Sequence, residues 1–316
     1  MHGPRLEGHS WETPLMDSKV IGPIQRLNKE MRHLEDLVRE MHPSSGEVPR
    51  LTRMDVAGLE LPLIGGCGGD HIVYVDFNTM FDLEARIQRA RLDRPEIIDR
   101  LEESHYRAGV LIADASGHQR TDALLVAMLH QAFVSCLPYE LDAHGCITSE
   151  LFENLNDGFY RTVGRSKYIT MIYGEISEDG QFHFLSAGHP PPMVFSNHYD
   201  RLMEMNDANW TSSTPLGMLP SRVRIDASRL HSPLPPRNAF IMNRLTLMGA
   251  GDILLLYSDG LLEHADGEFF TRGLEPALRD AKHESAVQIC AALATCVHAF
   301  APQRDDISYV VIKKRW

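Results

Sequence analysis

Leu254-Leu255-Leu256-Tyr257-Ser258-Asp259-Gly260 is an apolar run of strand length that delivers an acid and then a glycine. A carboxylate at the exit of a buried strand is held rigidly at the edge of the core, and the glycine permits a sharp turn and a close ligand approach. An ordinary Asp-Gly turn would read the same way. The arrangement recurs, however. Gly109-Val110-Leu111-Ile112-Ala113-Asp114 leads into Ala115-Ser116-Gly117-His118. Cys67-Gly68-Gly69-Asp70 opens the strand-like His71-Ile72-Val73-Tyr74-Val75-Asp76-Phe77. Arg304-Asp305-Asp306 precedes Ile307-Ser308-Tyr309-Val310-Val311-Ile312. Acids thus stand at the ends of four β-type runs that are far apart in sequence. Gathered by a fold, such carboxylates repel and raise one another's pKa. A divalent cation removes that cost, and all-oxygen ligation suits the hard ions Mg²⁺ and Mn²⁺.

The 316 residues suffice for one large domain with an appendage. The formal net charge of -12 argues against general binding of nucleic acid or of an anionic membrane surface. Cys67, Cys136, Cys146, Cys290 and Cys296 form no CxxC pair, so they read as reduced thiols. The start of the chain opens no apolar signal region and no stretch approaches transmembrane length, which gives a cytoplasmic expectation.

Residues 1–19 are polar and aperiodic and read as a flexible N-terminus. Across 20–42, Ile24, Leu27, Met31, Leu34, Val38 and Met41 form a heptad stripe between charged faces. The segment reads either as a helix packing on its own domain or as a short coiled coil that makes a homodimer. His42-Pro43-Ser44-Ser45-Gly46 ends it, and the main domain is expected over 50–316. Residues 79–107 suggest two short helices divided at Arg94-Pro95, with several arginines between them. Those arginines read as a solvated face or, for Arg86 and Arg89, as phosphate-binding groups of a substrate site. Helices are expected at Thr121–Cys136, Thr148–Tyr160 and Ala286–Phe300, and a hairpin at Tyr168–Ala187 turning through Glu178-Asp179-Gly180. Residues 197–245 read as loop. Strands, helices, strands, helix and strand in that order make an α+β layered protein.

Gly68-Gly69-Asp70, Asp114-Ala115-Ser116-Gly117-His118, Ser186-Ala187-Gly188-His189-Pro190, Thr214-Pro215-Leu216-Gly217, Tyr257-Ser258-Asp259-Gly260 and Asp305-Asp306-Ile307-Ser308 together resemble the metal-dependent protein serine/threonine phosphatases of the protein phosphatase 2C type. They are most similar to the bacterial SpoIIE-like branch, in the expected order from about residue 50 to 313. The resemblance implies a β-sandwich of two antiparallel sheets flanked by helices, with two Mn²⁺ or Mg²⁺ ions at one end. By position, Asp114 would bridge the ions and the carbonyl of Ala115 would join one of them. Asp259 and Asp305 would ligate the other, and Asp70 would hold its ion directly or through water. Asp306 and Gly260 rank behind these. Asp114 and Asp259 would be catalytic through a metal-activated water, without a protein nucleophile. The animal-type enzymes carry a histidine where Ser116 stands, which leaves His118, water or no group as general acid. His189 reads as structural or as support for the site. The segments 79–107 and 229–245 look like insertions.

The resemblance implies hydrolysis of phosphoserine or phosphothreonine on a protein partner, in that branch usually an anti-sigma-factor antagonist. A separate sensor or activator protein would control it. The alternative is a catalytically silent scaffold of the same fold. A nucleotide cyclase is a third reading, because Gly68-Gly69-Asp70-His71 is similar to the GGDEF hairpin, but the residue that follows is not acidic.

Overall fold

In the computed structural model the described residues are 44–63, 68–116, 122–162, 167–203, 210–221, 235, 237–247 and 249–316, with helical positions scattered between 25 and 40. Among them, strands β1 (Met54–Leu61), β2 (Asp70–Asp76), β3 (Arg107–Ala115), β4 (Ile169–Ser177), β5 (Gln181–Ala187), β6 (Met193–Ser196), β7 (Arg201–Met203), β8 (Ser212–Ser213), β9 (Asn243–Thr246), β10 (Ile253–Tyr257) and β11 (Ile307–Lys314) build two sheets. One sheet has the order β1-β11-β10-β6-β7 and is antiparallel throughout. The other runs β2-β3-β4-β5-β8; its β2 to β5 pairs are antiparallel, β8 joins β5 in parallel, and β9 also pairs with β5.

Side-chain alternation decides how the sheets stack. Successive residues of a strand point to opposite faces. In β10, Leu254 and Leu256 enter a core shared with Val110 and Ile112 of β3 and with Val310 and Ile312 of β11. Ile253, Leu255 and Tyr257 point the other way, into a second core. Leu111, Ala113 and Ala115 of β3 likewise turn away, into a third core. The first core is the filling between the sheets. The other two lie beneath helices on the outer faces.

The helices are α1 (Leu83–Asp93), α2 (Ile98–Ser104), α3 (Asp122–His144), α4 (Ser149–Thr162), α5 (Leu274–Ala281) and α6 (Ala286–Phe300), with single turns at Phe77–Met80 and Asp259–Leu262. α1 to α4 cover the sheet of β2 to β5, and α5 and α6 cover the other. The division of 79–107 at Arg94-Pro95 stands, with Pro95–Ile97 forming a turn of 3-10 helix. Apolar Leu92, near the end of α1, is 84% exposed.

Three further expectations are corrected. α3 does not end at Cys136 but runs 23 residues to His144, through Pro138. Buried Leu137 and Leu141 anchor the helix beside the proline. Packing therefore outweighs the hydrogen bond the proline cannot make. By length and composition this helix is also apolar enough to cross a membrane, contrary to the reading that no stretch is. Its inner face, Ala123, Val126, Leu129, Phe133, Leu137 and Leu141, is buried. Residues 197–245, read as loop, contribute the short strands β7, β8 and β9. α5 was not foreseen at all.

The described positions Gln25, Arg26, Lys29, Glu30, Arg32, His33, Asp36, Leu37 and Glu40 are helical and exposed. The heptad positions Ile24, Leu27, Met31, Leu34, Val38 and Met41 lie outside the described residues, as do residues 1–19, Cys67 and His118. Cys136, Cys146, Cys290 and Cys296 are all free thiols.

Candidate metal centre

The same alternation that stacks the sheets gathers the acids. Asp70 of β2 shares the parity of Ile72 and Tyr74, and Asp114 of β3 shares that of Val110 and Ile112. Both therefore point between the sheets, at one end. They are direct register partners, a placement that brings side chains within about 5 Å at Cβ. Thr170, the partner of Asp114 on β4, has the same parity. From the other sheet, Ser258 and Ser308 continue the inward rows of Leu254-Leu256 and Val310-Ile312. Where the filling between the sheets is apolar, this end of it is polar.

Asp259 follows Ser258 as the first residue of the helical turn Asp259–Leu262. Gly260 is needed there because a Cβ would stand 1.9 Å from the carbonyl oxygen of Asp306. Asp305 and Asp306 enter β11 beside it. The amide of Asp306 donates to Asp305 Oδ1 at 2.7 Å. The carboxylate of Asp306 is engaged on both sides: the backbone N–H groups of Leu63 and Gly69 donate to its oxygens, each at 2.7 Å. It thus ties Leu63 and Gly69, the latter just before Asp70, to the start of β11. A Cβ on Gly68 would lie 2.3 Å from one of these oxygens.

Burial pushes the carboxyl of Asp70 well above the ordinary range, and the charges of Asp114 and Asp306 add to it, while the Ser258 and Ser308 hydroxyls oppose it. Asp114 is pushed up to about 8, by burial first and then by Asp259, Asp305, Asp306 and Asp122. The acids of both sheets therefore sense one another. Among the described residues, no three His, Cys, Asp or Glu side chains converge closely enough to hold an ion as they stand. The donor chemistry nevertheless fits one. The donors are oxygens, mutually repelling and largely buried, and Asp70 Oδ2 is buried without a hydrogen-bond partner. A positive ion is the ligand that relieves such a cluster.

The backbone after Asp114 is pinned on both sides. The Ala115 N–H donates to the Gly69 carbonyl at 3.0 Å, and the Ser116 N–H donates to that of Tyr168 at 2.9 Å. Lys167 Nζ donates to the Ser116 carbonyl at 3.0 Å and to buried Asp122 at 2.5 Å. Sequence reading missed this pair, because neither residue lies in an apolar run that ends in an acid.

Arg86 and Arg89 are not brought to the acids. Both sit on α1, and Arg86 Nε pairs with Asp142 Oδ1 at 2.9 Å, near the end of α3. Asp122, which opens α3, is the end facing Asp114, so the helix places Asp142 about 30 Å away along its axis. Arg94 and Arg100 donate to the carbonyls of Asp142 and His144. These arginines satisfy the open carbonyls at the end of a long helix.

A sandwich of two sheets between helices, with acids from both sheets meeting at one end, defines the architecture of the metal-dependent phosphatases. The family model for stage II sporulation protein E (SpoIIE) matches residues 104–315, and the chain belongs to that family. The RsbU and RsbW domains of Rv1364c from Mycobacterium tuberculosis share the fold at 20% identity and a TM-score of 0.59, over 86% of this chain and 63% of that one. The present chain thus spans less than two thirds of that longer protein. The SiaA-PP2C domain of Pseudomonas aeruginosa matches at 15% identity and a TM-score of 0.58, over 92% of this chain and 98% of that one. RsbX in complex with magnesium matches at 12% identity and a TM-score of 0.51, over 85% and 98% of the two chains.

Proposed function

We propose that the chain is a phosphoprotein phosphatase that hydrolyses phosphoserine or phosphothreonine with the help of two divalent cations, Mn²⁺ or Mg²⁺. Asp70, Asp114, the Ala115 carbonyl, Asp259 and Asp305 would hold them. The observation that carries the reading is the meeting of carboxylates from both sheets at one largely buried end, where Asp114 is pushed up to about 8. Membership in the SpoIIE family supports it, as does the magnesium complex of RsbX, which shares the fold. When bound, the cations would neutralise the carboxylates, acidify the attacking water and stabilise charge on the phosphoryl oxygens.

The chain's own residues have separable tasks. Asp306 fixes the turn before Asp70 through two backbone N–H groups. Lys167 and Asp122 hold the backbone beyond Ala115. The Ser258 and Ser308 hydroxyls favour the ionised, ligating form of Asp70. No side-chain nucleophile is required. Burial pushes the thiols of Cys290, to about 12, and of Cys136 and Cys146 upward, away from the reactive thiolate.

The substrate we infer is a phosphorylated regulatory protein such as an anti-sigma-factor antagonist, with a separate protein as activator and a homodimer through residues 20–42. Hydrolysis of a generic phosphomonoester by the full chain, with and without Mn²⁺, tests the reading. Manganese-dependent turnover that is lost in folded Asp114→Asn and Asp259→Asn variants is the expected result. Variants that keep full turnover would overturn the ligand assignment. Mn²⁺ bound calorimetrically without turnover would point to a regulated or substrate-restricted enzyme, and no bound metal would favour the silent scaffold.

A further inference from the structure

Glu60 lies in β1 on the row of Met54 and Val56, which enter the core between the sheets. It is the register partner of Ser308 on β11, beside the acids. Its carboxylate reaches across to the other sheet. Glu60 Oε1 accepts from the backbone N–H of Ile72, in β2, at 2.6 Å. The same oxygen lies 3.3 Å from Nδ1 of buried His71. On the far side of that ring, Nε2 lies 3.0 Å from Nδ1 of His130, on α3.

β2 stands at the edge of its sheet, so the N–H groups on its outer side need partners from outside the ladder. The Tyr74 N–H finds one in the Ser45 carbonyl, at 2.8 Å. The Ile72 N–H, two residues back on the same side, finds Glu60. A carboxylate that accepts from an N–H makes one of the stronger hydrogen bonds available to a backbone donor. Asp70 is thus bracketed. Before it, the Gly69 N–H donates to Asp306 Oδ2 at 2.7 Å. After it, the Ile72 N–H donates to Glu60. Glu60 belongs to β1 and Asp306 leads into β11, neighbours in one sheet, whereas Asp70 belongs to the other.

We propose that Glu60 is a positioning residue: by tying the backbone after Asp70 to the opposite sheet, it sets where the Asp70 carboxylate stands and thereby the affinity of the site for its divalent cations. The proposal rests on the metal-centre reading given above. With Oε1 committed to β2, Glu60 acts through Asp70 and not as a ligand. Ligands drawn from separate sheets form one site only if the sheets are tied together beside it. Asp306 makes that tie on one side of Asp70, and Glu60 makes it on the other. The same carboxylate also meets the His71 ring, which joins β2 to α3 through His130.

Calorimetric Mn²⁺ titration of the full chain, with melting in chelator alongside, separates positioning from plain stabilisation and reach from charge. Glu60→Asp keeps the charge but draws the oxygen back from Ile72. It is expected to bind Mn²⁺ at least about tenfold more weakly than the parent, as removal of an outer partner of a metal ligand does. Glu60→Ala serves in its place if the shortened acid does not fold. Glu60→Gln keeps an accepting oxygen at the same reach without the charge, and it is expected to bind close to the parent. Asp76→Ala is the control for a loosened strand. Asp76 ends β2 away from Asp70, and its Oδ2 accepts from the Arg50 N–H at 3.3 Å. That variant is expected to melt lower in chelator and to bind Mn²⁺ as the parent does. Parent-like affinity in Glu60→Asp would overturn the proposal. Equal weakening in Glu60→Gln would also overturn it, because charge and not reach would then be at work. So would equal weakening in Asp76→Ala, because any loosening of β2 would then suffice. A parent protein that binds no Mn²⁺ would instead overturn the metal-centre reading, and this assignment with it.

Discussion

At the scale of single residues, the acid end stores repulsion that a cation would release. Asp114 is pushed up to about 8 and Asp70 is raised as well. In the unfolded chain both would titrate near the ordinary aspartate value. A folded-state pKa above the unfolded one contributes stability below the unfolded pKa, and that stability is lost as pH rises through the folded value. Metal-free protein should therefore lose stability as pH rises from about 4 to about 8, with a slope approaching ~1.4 kcal/mol per pH unit for each titrating group. Thermal melting in chelator across that range checks this. Asp114→Asn should flatten the dependence, and Mn²⁺ should remove it. A chelated protein whose melting point is flat or rises over this range would contradict the stored repulsion. Gly260 gives a second expectation at this scale. Its Cβ position lies 1.9 Å from a backbone oxygen, which no rotamer change relieves. Gly260→Ala should cost about 1–3 kcal/mol in chemical unfolding, the usual range for overpacking.

Between elements, α4 carries a buried polar face that joins the chain on both sides of 222–236. Arg237 Nη2 donates to Glu153 Oε2 at 2.6 Å, and the Phe240 N–H donates to the other oxygen at 2.8 Å. The guanidinium lies 3.6 Å over the Phe240 ring. Asn156 donates to the Leu219 carbonyl at 2.9 Å and accepts from the Gly217 N–H at 3.1 Å, while Asp157 accepts from the Ser221 N–H at 3.0 Å. Breaking one side of a buried ion pair leaves an uncompensated charge, typically a loss of about 3–5 kcal/mol. Glu153→Gln should lose stability on that scale in urea, and Glu153→Leu combined with Arg237→Met should recover most of it. Equal losses in the single and double variants would show that packing, not charge, holds the join. This clamp was illegible in the sequence, since Glu153, Asn156 and Asp157 at helical spacing look like a solvated face and their partners lie more than fifty residues away. Asp70 and Asp114 were legible for the opposite reason: each stands at the end of an apolar run whose period fixes which way it points. Ser258, Ser308 and Thr170 follow the same inward parity, and that signal could have identified them. α5 ends in a mixed charged and apolar stretch without a comparable cue, and it becomes a helix through burial of Leu274, Ala277, Leu278 and Ala281.

For the whole molecule, the question is what the segment before the sandwich does. The chain enters at Ser45, whose carbonyl accepts from the Tyr74 N–H at 2.8 Å, along the free edge of β2. β2 is the strand that opens with Asp70. The described positions between 25 and 40 are helical and exposed, and they include charged Arg26, Lys29, Glu30, Arg32, Asp36 and Glu40. A helix polar on those faces and apolar at Ile24, Leu27, Met31, Leu34, Val38 and Met41 gains stability by pairing that stripe. The net charge of -12 opposes association through the sandwich surface, so the prediction is that copies meet through the stripe. Light scattering should accordingly report about twice the 35.6 kDa chain mass. Leu27→Glu with Leu34→Glu should return the monomer mass and leave the melting of the sandwich unchanged. An unchanged mass in that variant would place the segment against its own domain, and the stripe would then be an internal packing face.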